Sequence, residues 1–484
     1  MLVGSMASVS RAPWSRRRFL MSTATGAVKR RPNVLFLLTD DQRQDTIHAL
    51  GNAVIRTPNL DGLVQNGVTF RNGYCMGGYS PAVCLPSRQM ILRGRSWFSV
   101  QKMSDAVPNL AQSMNEAGYD SFHYGKRGNE DLKVHKYFTH NHYVSPDDQE
   151  ERRTGRPGTQ MAERVGEYLD QWKGGSPAKP FFLYLAGPAP HDPRVAPAEY
   201  LAMYPPEKLP LPPNFKPYHP FDNGEMYIRD ERLAPWPRTE TEIRRHLREY
   251  YAVITHLDEQ IGRIFSKLKA IGEYDNTIIV FTSDQGIAIG SHGLMGKQNL
   301  YEHSMNPGII FSGPGIPRGK RLDAFAYLFD IYPTVVDMVG AKAPEPLEGK
   351  SLTPVIRGQL RGVRDTVFLA YRDIQRAVRR GRWKMIRYPK VDVTQLFDLE
   401  TDPCEVRDLA DDPRHAARIE ELRKIMHEQQ KLFGDTVPLK VENPQPSKVD
   451  PEFFKKAPPE ARRVSQPLER ANSRFSEPTK PRVL

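Results

Sequence analysis

Three short segments of this chain set ligating or reactive side chains at the ends of apolar runs. Asn33-Val34-Leu35-Phe36-Leu37-Leu38-Thr39-Asp40-Asp41 closes on paired carboxylates. Ile278-Ile279-Val280-Phe281-Thr282-Ser283-Asp284-Gln285-Gly286 closes on a carboxylate and an amide. Such oxygens are hard ligands that suit Ca²⁺ and, less well, Mg²⁺, although acidic residues behind a strand also serve as simple loop or cap residues. The third segment, Cys84-Leu85-Pro86-Ser87-Arg88, holds a thiol and a guanidinium. A cysteine taken alone reads as a small buried hydrophobe, so the weight lies on its neighbours. Lys126, His191 and Lys297 add cationic groups and one group able to transfer a proton. A lone loop histidine is commonly structural, and an isolated lysine carries no signal of its own.

The elements that must position these residues are short. Buried strands are expected at Val34–Leu38, Phe181–Leu185, Ile278–Thr282 and Gly308–Ser312, with another ending at Gly125-Lys126. Helices are expected at Thr57–Asn66, from Ser87 to Leu92, at Val107–Ala117 and over a long amphipathic stretch from Thr239 to Ile271. Short apolar strands alternating with helices predict an α/β fold, a mostly parallel central sheet sandwiched by helices. Ligands gather at the carboxyl ends of strands in such sheets, which is where Asp40-Asp41, Lys126, His191 and Asp284-Gln285 stand. The Pro-rich stretch from Pro188 to Pro237 shows no periodicity and reads as a functional loop shaping a pocket. Beyond Gly362, Ala377–Arg379, Trp383–Ile386 and Gln395–Leu399 predict a small antiparallel sheet, followed by a helix over Pro413–Leu432.

The Asp40-Asp41 segment, the Cys84-x-Pro86-Ser87-Arg88 pentapeptide and the Asp284-Gln285 segment, in that chain order, resemble the formylglycine-dependent sulfatases of the alkaline-phosphatase-like superfamily. The resemblance runs from about Arg31 to about Pro413. It implies that Cys84 is oxidised to formylglycine by a maturation enzyme that reads Pro86 and Arg88, and that the aldehyde hydrate attacks sulfur. It implies that Asp40, Asp41, Asp284, Gln285 and the modified residue 84 hold Ca²⁺, although Asn or His is common where this chain has Gln285. Arg88 would hold the hydrate, Lys126 and Lys297 would bind sulfate, and His191 would bind a sulfuryl oxygen or protonate the leaving group. Gly128 stands where a histidine is often found, so the hydrogen bond that histidine makes to the nucleophile is unassigned, with Arg127 and Asn129 nearby. His292, Glu302 and His303 follow Asp284 closely enough to touch substrate. The Pro206-Glu207-Lys208-Leu209-Pro210 region resembles iduronate-2-sulfatase-like and bacterial carbohydrate sulfatases, which implies a sulfated sugar as substrate ahead of an aryl or choline ester, so that the partner is a sulfated small molecule or glycan. The competing readings are a phosphomonoester or phosphonate-ester hydrolase of the same superfamily and a sulfated-glycan binding protein without catalysis.

Composition narrows the partners. The net charge is +12 over 484 residues, but residues 1–32 carry +7 of it and residues 440–484 another +4. The body between them is nearly neutral and shows no nucleic-acid recognition motif. No apolar run approaches the roughly 18 residues of a membrane span. Three cysteines, Cys75, Cys84 and Cys404, do not suggest a disulfide framework. Ser15-Arg16-Arg17-Arg18-Phe19-Leu20 fits a twin-arginine export signal, which predicts a periplasmic or secreted protein, and a basic arm is the alternative. The expected organisation is therefore residues 1–31 as signal or arm, 32–361 as catalytic domain, 362–434 as an α+β subdomain and 435–484 as a Pro- and charge-rich tail.

Overall fold

The computed structural model describes residues 30–103, 107–126, 134–144, 155–172, 179–344, 346–449 and 452. The export-signal pattern at 15–20 and the segment around Gly128 lie outside these residues. Pro32–Leu484 form one compact unit.

Among the described residues nine strands precede residue 330: β1 (Asn33–Thr39), β2 (Gly67–Tyr74), β3 (Gly77–Gly78), β4 (Asp120–Lys126), β5 (His140–Val144), β6 (Phe181–Ala186), β7 (Thr277–Ser283), β8 (Ile309–Ser312) and β9 (Lys320–Tyr327). Eight of them form one sheet in the order β5-β4-β6-β1-β7-β8-β2-β9. All neighbours pair in parallel except β8, which runs against both β7 and β2. The fold is α/β, as the alternation of apolar runs and helices predicts.

Alternation along β1 explains why the sheet lies in the middle. Val34, Phe36 and Leu38 pack into one apolar cluster, with the helices Cys84–Arg93, Leu110–Glu116 and Ile331–Met338. Leu35 and Leu37 pack into the other, with Pro58–Gln65, Thr159–Gln171 and Glu240–Ala270. Both faces of the strand are covered, so its sequence is apolar throughout.

Several boundaries differ from the sequence expectation, each for a local reason. The helix expected from Ser87 begins at Cys84. The one expected from Val107 begins at Leu110, because Asn109 accepts from Gln112 N at 3.2 Å while Gln112 returns the bond at 3.0 Å, a capping box that sets the start. The Pro-rich stretch 188–237 holds a short helix at Ala198–Ala202 and 3₁₀ turns at Pro206–Lys208 and Asp230–Leu233. The long helix Glu240–Ala270 starts where Thr239 accepts from Glu242 N at 3.3 Å.

A second sheet follows, with β10 (Thr366–Tyr371), β11 (Gln375–Arg380), β12 (Trp383–Tyr388) and β13 (Val393–Asp398) in the order β13-β12-β11-β10-β3. Its antiparallel strands carry the helix Ala416–Phe433. Its fifth member, β3, comes from the stretch just before Cys84. Glycine is required there: a Cβ on Gly77, at φ 96°, would lie 2.2 Å from Ala370 O, and one on Gly78 would lie 2.5 Å from Pro86 Cγ. The start of the Cys84 helix is thereby pressed against the second sheet. Residues 435–449 run back over the body, where Asp435 pairs with Arg376 at 2.7 Å and Ser447 O accepts from Asp222 N at 2.7 Å.

Candidate active site

Strand register brings the candidate residues into a row. Thr39 of β1 lies opposite Ser283 of β7, Leu37 opposite Leu185 of β6, and Gly125 of β4 opposite Ala186. The residues leaving these strands at the same edge are Lys126, Gly187, Asp40 and Asp284. Asp284 N donates to Thr39 O at 3.1 Å, and Asp41 N donates to Asp284 Oδ1 at 3.1 Å. Asp41 turns out of the strand at φ 67°, a backbone state that costs a non-glycine residue free energy and is held by its surroundings. Tyr250, from the long helix, does the holding by donating to Asp41 O at 2.6 Å.

The Cys84 helix meets this row end-on. Cys84 Sγ lies 3.2 Å from Asp40 Oδ1 and 3.9 Å from Asp41 Oδ1. One turn later on the same helix face, Arg88 donates to Asp284 Oδ2 and Asp40 Oδ2 at 3.0 Å each and to Ala186 O at 3.1 Å. Ser87 Oγ donates to Asp284 O at 2.6 Å. Lys297 enters from the long loop after β7. Its Nζ contacts both Asp41 oxygens, at 2.8 and 3.0 Å, and Cys84 Sγ at 3.1 Å. Gln285 Nε2 donates to Asp41 Oδ1 at 2.6 Å and to Cys84 Sγ at 3.2 Å. Lys297 and Gln285 are thus the described donors at Sγ, the position for which the sequence left a hydrogen bond unassigned. Lys126 pairs with Asp40. His191 Nε2 stands 3.7 Å from Asp41 Oδ2, and its Nδ1 donates to Asp192 O at 2.7 Å, which leaves Nε2 unprotonated in the neutral ring.

Exposure within the cluster is confined to two of its members. Asp40, Asp41, Cys84, Arg88, Asp284, Gln285 and Lys297 are buried, whereas the side chains of Lys126 and His191 keep 13% and 15% of their surface. Charge is unevenly compensated inside. Burial opposes ionisation of Asp40, but Lys126 and Arg88 outweigh it and hold its carboxyl well below the usual range. Burial pushes Asp41 up to about 7 despite Lys297, with Asp40 and Asp284 adding to the rise. Asp284 is raised by burial and by Asp40. Burial and the carboxylates Asp284 and Asp40 push the Cys84 thiol well up, so it is a neutral thiol and a poor nucleophile as it stands. Burial, then Lys297, lowers His191 to about 3, which keeps the ring neutral.

The donor set fits a hard dication. Two of three converging carboxylates are short of positive charge, and the Gln285 amide oxygen is buried without a partner. Turning that amide over exchanges its nitrogen for its oxygen on the Asp41 side. Asp40, Asp41, Cys84 and His191 each bring a ligand atom within 4.8 Å of one another.

The supporting shell comes from the Pro-rich stretch and was not named from sequence. Glu231 accepts from Met295 N and Gly296 N at 2.9 and 2.8 Å and is paired with buried Arg238 at 2.8 Å, which fixes the loop carrying Lys297. Gln298 Nε2 donates to Asp230 Oδ2 at 2.7 Å and Pro81 O at 2.8 Å. Arg229 clamps Asp192 and Asp230, with Nη1 2.7 Å from Asp192 Oδ1. The signal available in the sequence was the length of an unpatterned loop; the pairings themselves have no local signature. Of the residues that follow Asp284, His292 is buried and stacks on Tyr301, and Glu302 pairs with Lys384 at 2.8 Å.

Comparison with known proteins adds a lineage. Residues 32–341 match the sulfatase family, and residues 290–432 match the C-terminal part of N-sulphoglucosamine sulphohydrolase. An arylsulfatase of Clostridium perfringens is 27% identical over 82% of this chain and 94% of its own length. An N-acetylglucosamine-6-O-sulfatase of Bacteroides thetaiotaomicron is 25% identical over 84% of this chain and 88% of its own. A solved protein in complex with its substrate, D-glucosamine-2-N,6-O-disulfate, superposes with a TM-score of 0.72 at 22% identity, covering 85% of this chain and all of that one.

Proposed function

Because the chain belongs to the sulfatase family and is on that ground a sulfuric ester hydrolase, we propose that it removes sulfate from a sulfated carbohydrate, with residue 84 acting as formylglycine. The observation that carries this reading is the convergence on one buried Sγ of Asp40, Gln285 and Lys297 within 3.1–3.2 Å, one helical turn from Arg88. A thiol there is raised and neutral, and if it did attack sulfur it would be left as a thiosulfate. A hydrated aldehyde offers one hydroxyl to attack sulfur and a second whose deprotonation expels sulfate by C–O cleavage. The sugar assignment is supported by the glucosamine-directed names among the relatives.

Asp40, Asp41, Asp284 and Gln285 would hold Ca²⁺, which when bound supplies positive charge to a sulfuryl oxygen and acidifies a hydroxyl on residue 84. The remaining work falls to the chain. Arg88 orients residue 84 between Asp40 and Asp284. Lys297 from within and Lys126 from the mouth flank the sulfuryl oxygens and stabilise charge that grows in the transition state. His191 stands at the mouth, where the leaving oxygen departs. An anionic ester entering between the lysines and the ring offsets their charge, raises the proton affinity of Nε2 and equips it to protonate the leaving alcohol.

The test is a paired one. Protein made with a formylglycine-generating enzyme is digested for mass spectrometry of the Cys84 peptide and assayed on N-acetylglucosamine-6-sulfate, other sulfated sugars, and phosphate and phosphonate esters. Formylglycine at residue 84 with preferred turnover of a sugar sulfate is expected. Active protein with only unmodified cysteine, or faster turnover of phosphate or phosphonate esters, overturns the reading.

A further inference from the structure

A second group of ligand-type side chains lies outside the Cys84 cluster. One ring nitrogen each of His292 and His303 and a carboxylate oxygen of Glu405 all fall within 4.8 Å of one another. The rings are layered: His292 stacks on Tyr301 with centroids 3.8 Å apart, and the two imidazole centroids are 5.6 Å apart. Both ring nitrogens of His303 are buried and have no hydrogen-bond partner. Unused imidazole nitrogens inside a protein cost desolvation free energy with nothing in return. His292 and Glu405 both sit in the left-handed backbone region, at φ 54° and 56°. Such a state is mild for histidine but unfavourable for glutamate.

The surroundings pre-orient each group. Asn214 Nδ2 lies 3.0 Å from His292 Nε2 and holds the orientation of that ring. Glu405 Oε2 accepts from Glu302 N at 2.7 Å, and Oε1 stands 2.8 Å from Lys384 Nζ. Lys384 is the competitor for this carboxylate, but it also pairs with Glu302 at 2.8 Å, so it keeps a counter-charge when a cation takes Glu405. Arg43, another nearby cation, is paired with Asp45. His303, Cys404 and Glu405 line a cavity of 2040 Å³ that gives an ion a way in.

From this arrangement we infer that His292, His303 and Glu405 form a second, structural metal site. Two imidazoles and one carboxylate select a borderline transition dication, Zn²⁺ or its analogue Co²⁺, and not the hard ion suited to the oxygen ligands around residue 84. Its place in the fold gives it a purpose. His292 and His303 bracket the loop that delivers Lys297, and Glu405 belongs to the segment after β13. The ion clips both ends of that loop to the C-terminal part of the chain without touching substrate.

Metal-stripped full-length protein is titrated with Co²⁺ and Zn²⁺, following the visible absorption of Co²⁺ and the Tm. Wild type binds one Co²⁺ equivalent with nitrogen–oxygen ligand-field bands, and Zn²⁺ raises Tm with concentration. His303→Ala and Glu405→Gln weaken this binding by roughly a hundredfold or more, while Asp40→Asn, which alters the cluster around residue 84, leaves it intact. His303→Gln, which keeps a polar side chain of similar reach, serves if the alanine variant does not fold. No Co²⁺ or Zn²⁺ binding by wild type, binding unchanged in His303→Gln and Glu405→Gln, or binding lost only in Asp40→Asn overturns the inference.

Discussion

Lys297→Met tests the electrostatics of the Cys84 cluster most directly, because methionine keeps much of the length and bulk while removing the charge and its N–H donors. In the structure Lys297 Nζ serves Asp41 at 2.8 and 3.0 Å and Cys84 Sγ at 3.1 Å, in a buried setting. Asp41 already sits at about 7 with that lysine present, chiefly through burial. Without it the carboxyl of the metal-free protein rises further and is protonated at neutral pH, so the fold is spared an uncompensated charge. When Ca²⁺ is supplied, the carboxylate is free of its lysine and metal content is maintained. Catalysis is not spared. Loss of one preorganised donor at a desolvated anion costs about 10²–10³ in rate, or about 2.7–4 kcal/mol. The assay is steady-state kcat/KM on the preferred sugar sulfate, with metal content measured on the same sample and the ratio converted by RT ln. A loss smaller than about tenfold, or about 1.4 kcal/mol, with metal and formylglycine both in place would refute the claim that Lys297 stabilises the sulfuryl group.

Other perturbations discriminate among the remaining parts. Arg88→Met leaves Asp284 without its buried counter-charge and Asp40 with Lys126 alone, and should lower the unfolding free energy by about 3–5 kcal/mol, read from denaturant titration of the metal-free protein. His191→Ala should reduce kcat/KM more for sugar sulfates than for nitrophenyl sulfate, since a good leaving group needs less proton donation; equal losses would leave His191 as a sulfate contact alone. Burial lowers His219 to about 4, against 6.5 for the free ring. The unfolded chain therefore binds the extra proton between these values, so this stabilising contribution is complete above 6.5 and is lost as pH falls towards 4. In His219→Gln, urea titrations at pH 4.5 and 7 should show a smaller difference than in wild type.

Sequence was sufficient wherever the physics is local. β1, β6 and β7 are covered on both faces, so their apolar runs are continuous and readable, and the residues leaving their carboxyl ends, Asp40-Asp41 and Asp284-Gln285, could be named as a group. Cys84, Arg88, Lys126, His191 and Lys297 could be named with them through motif and resemblance, and the fold brings all nine together. Three of the missed strands share a cause, whereas β10, a buried apolar run, and the two-residue β3 were missed without it. β5 (His-Asn-His-Tyr-Val) and β9 (Lys-Arg-Leu-Asp-Ala-Phe-Ala-Tyr) are the two edges of the large sheet, and β2 carries Arg71, Asn72 and Gly73 in its second half; none of these three reads as an apolar run.

What only the tertiary structure decided is which distant groups complete one another. Tyr250 reaches across 209 residues to hold the Asp41 backbone, and Glu231 reaches 64 and 65 residues to fix Met295 and Gly296. The bracketing of the Lys297 loop by His292 and His303 against Glu405 is of the same kind. Periodicity reports which face of an element is apolar, because burial of a strand or helix is repeated along its own length. A single hydrogen bond or ion pair between a helix and a loop repeats nowhere, and it exists only once sheet register and the path of the chain have brought its two ends into contact.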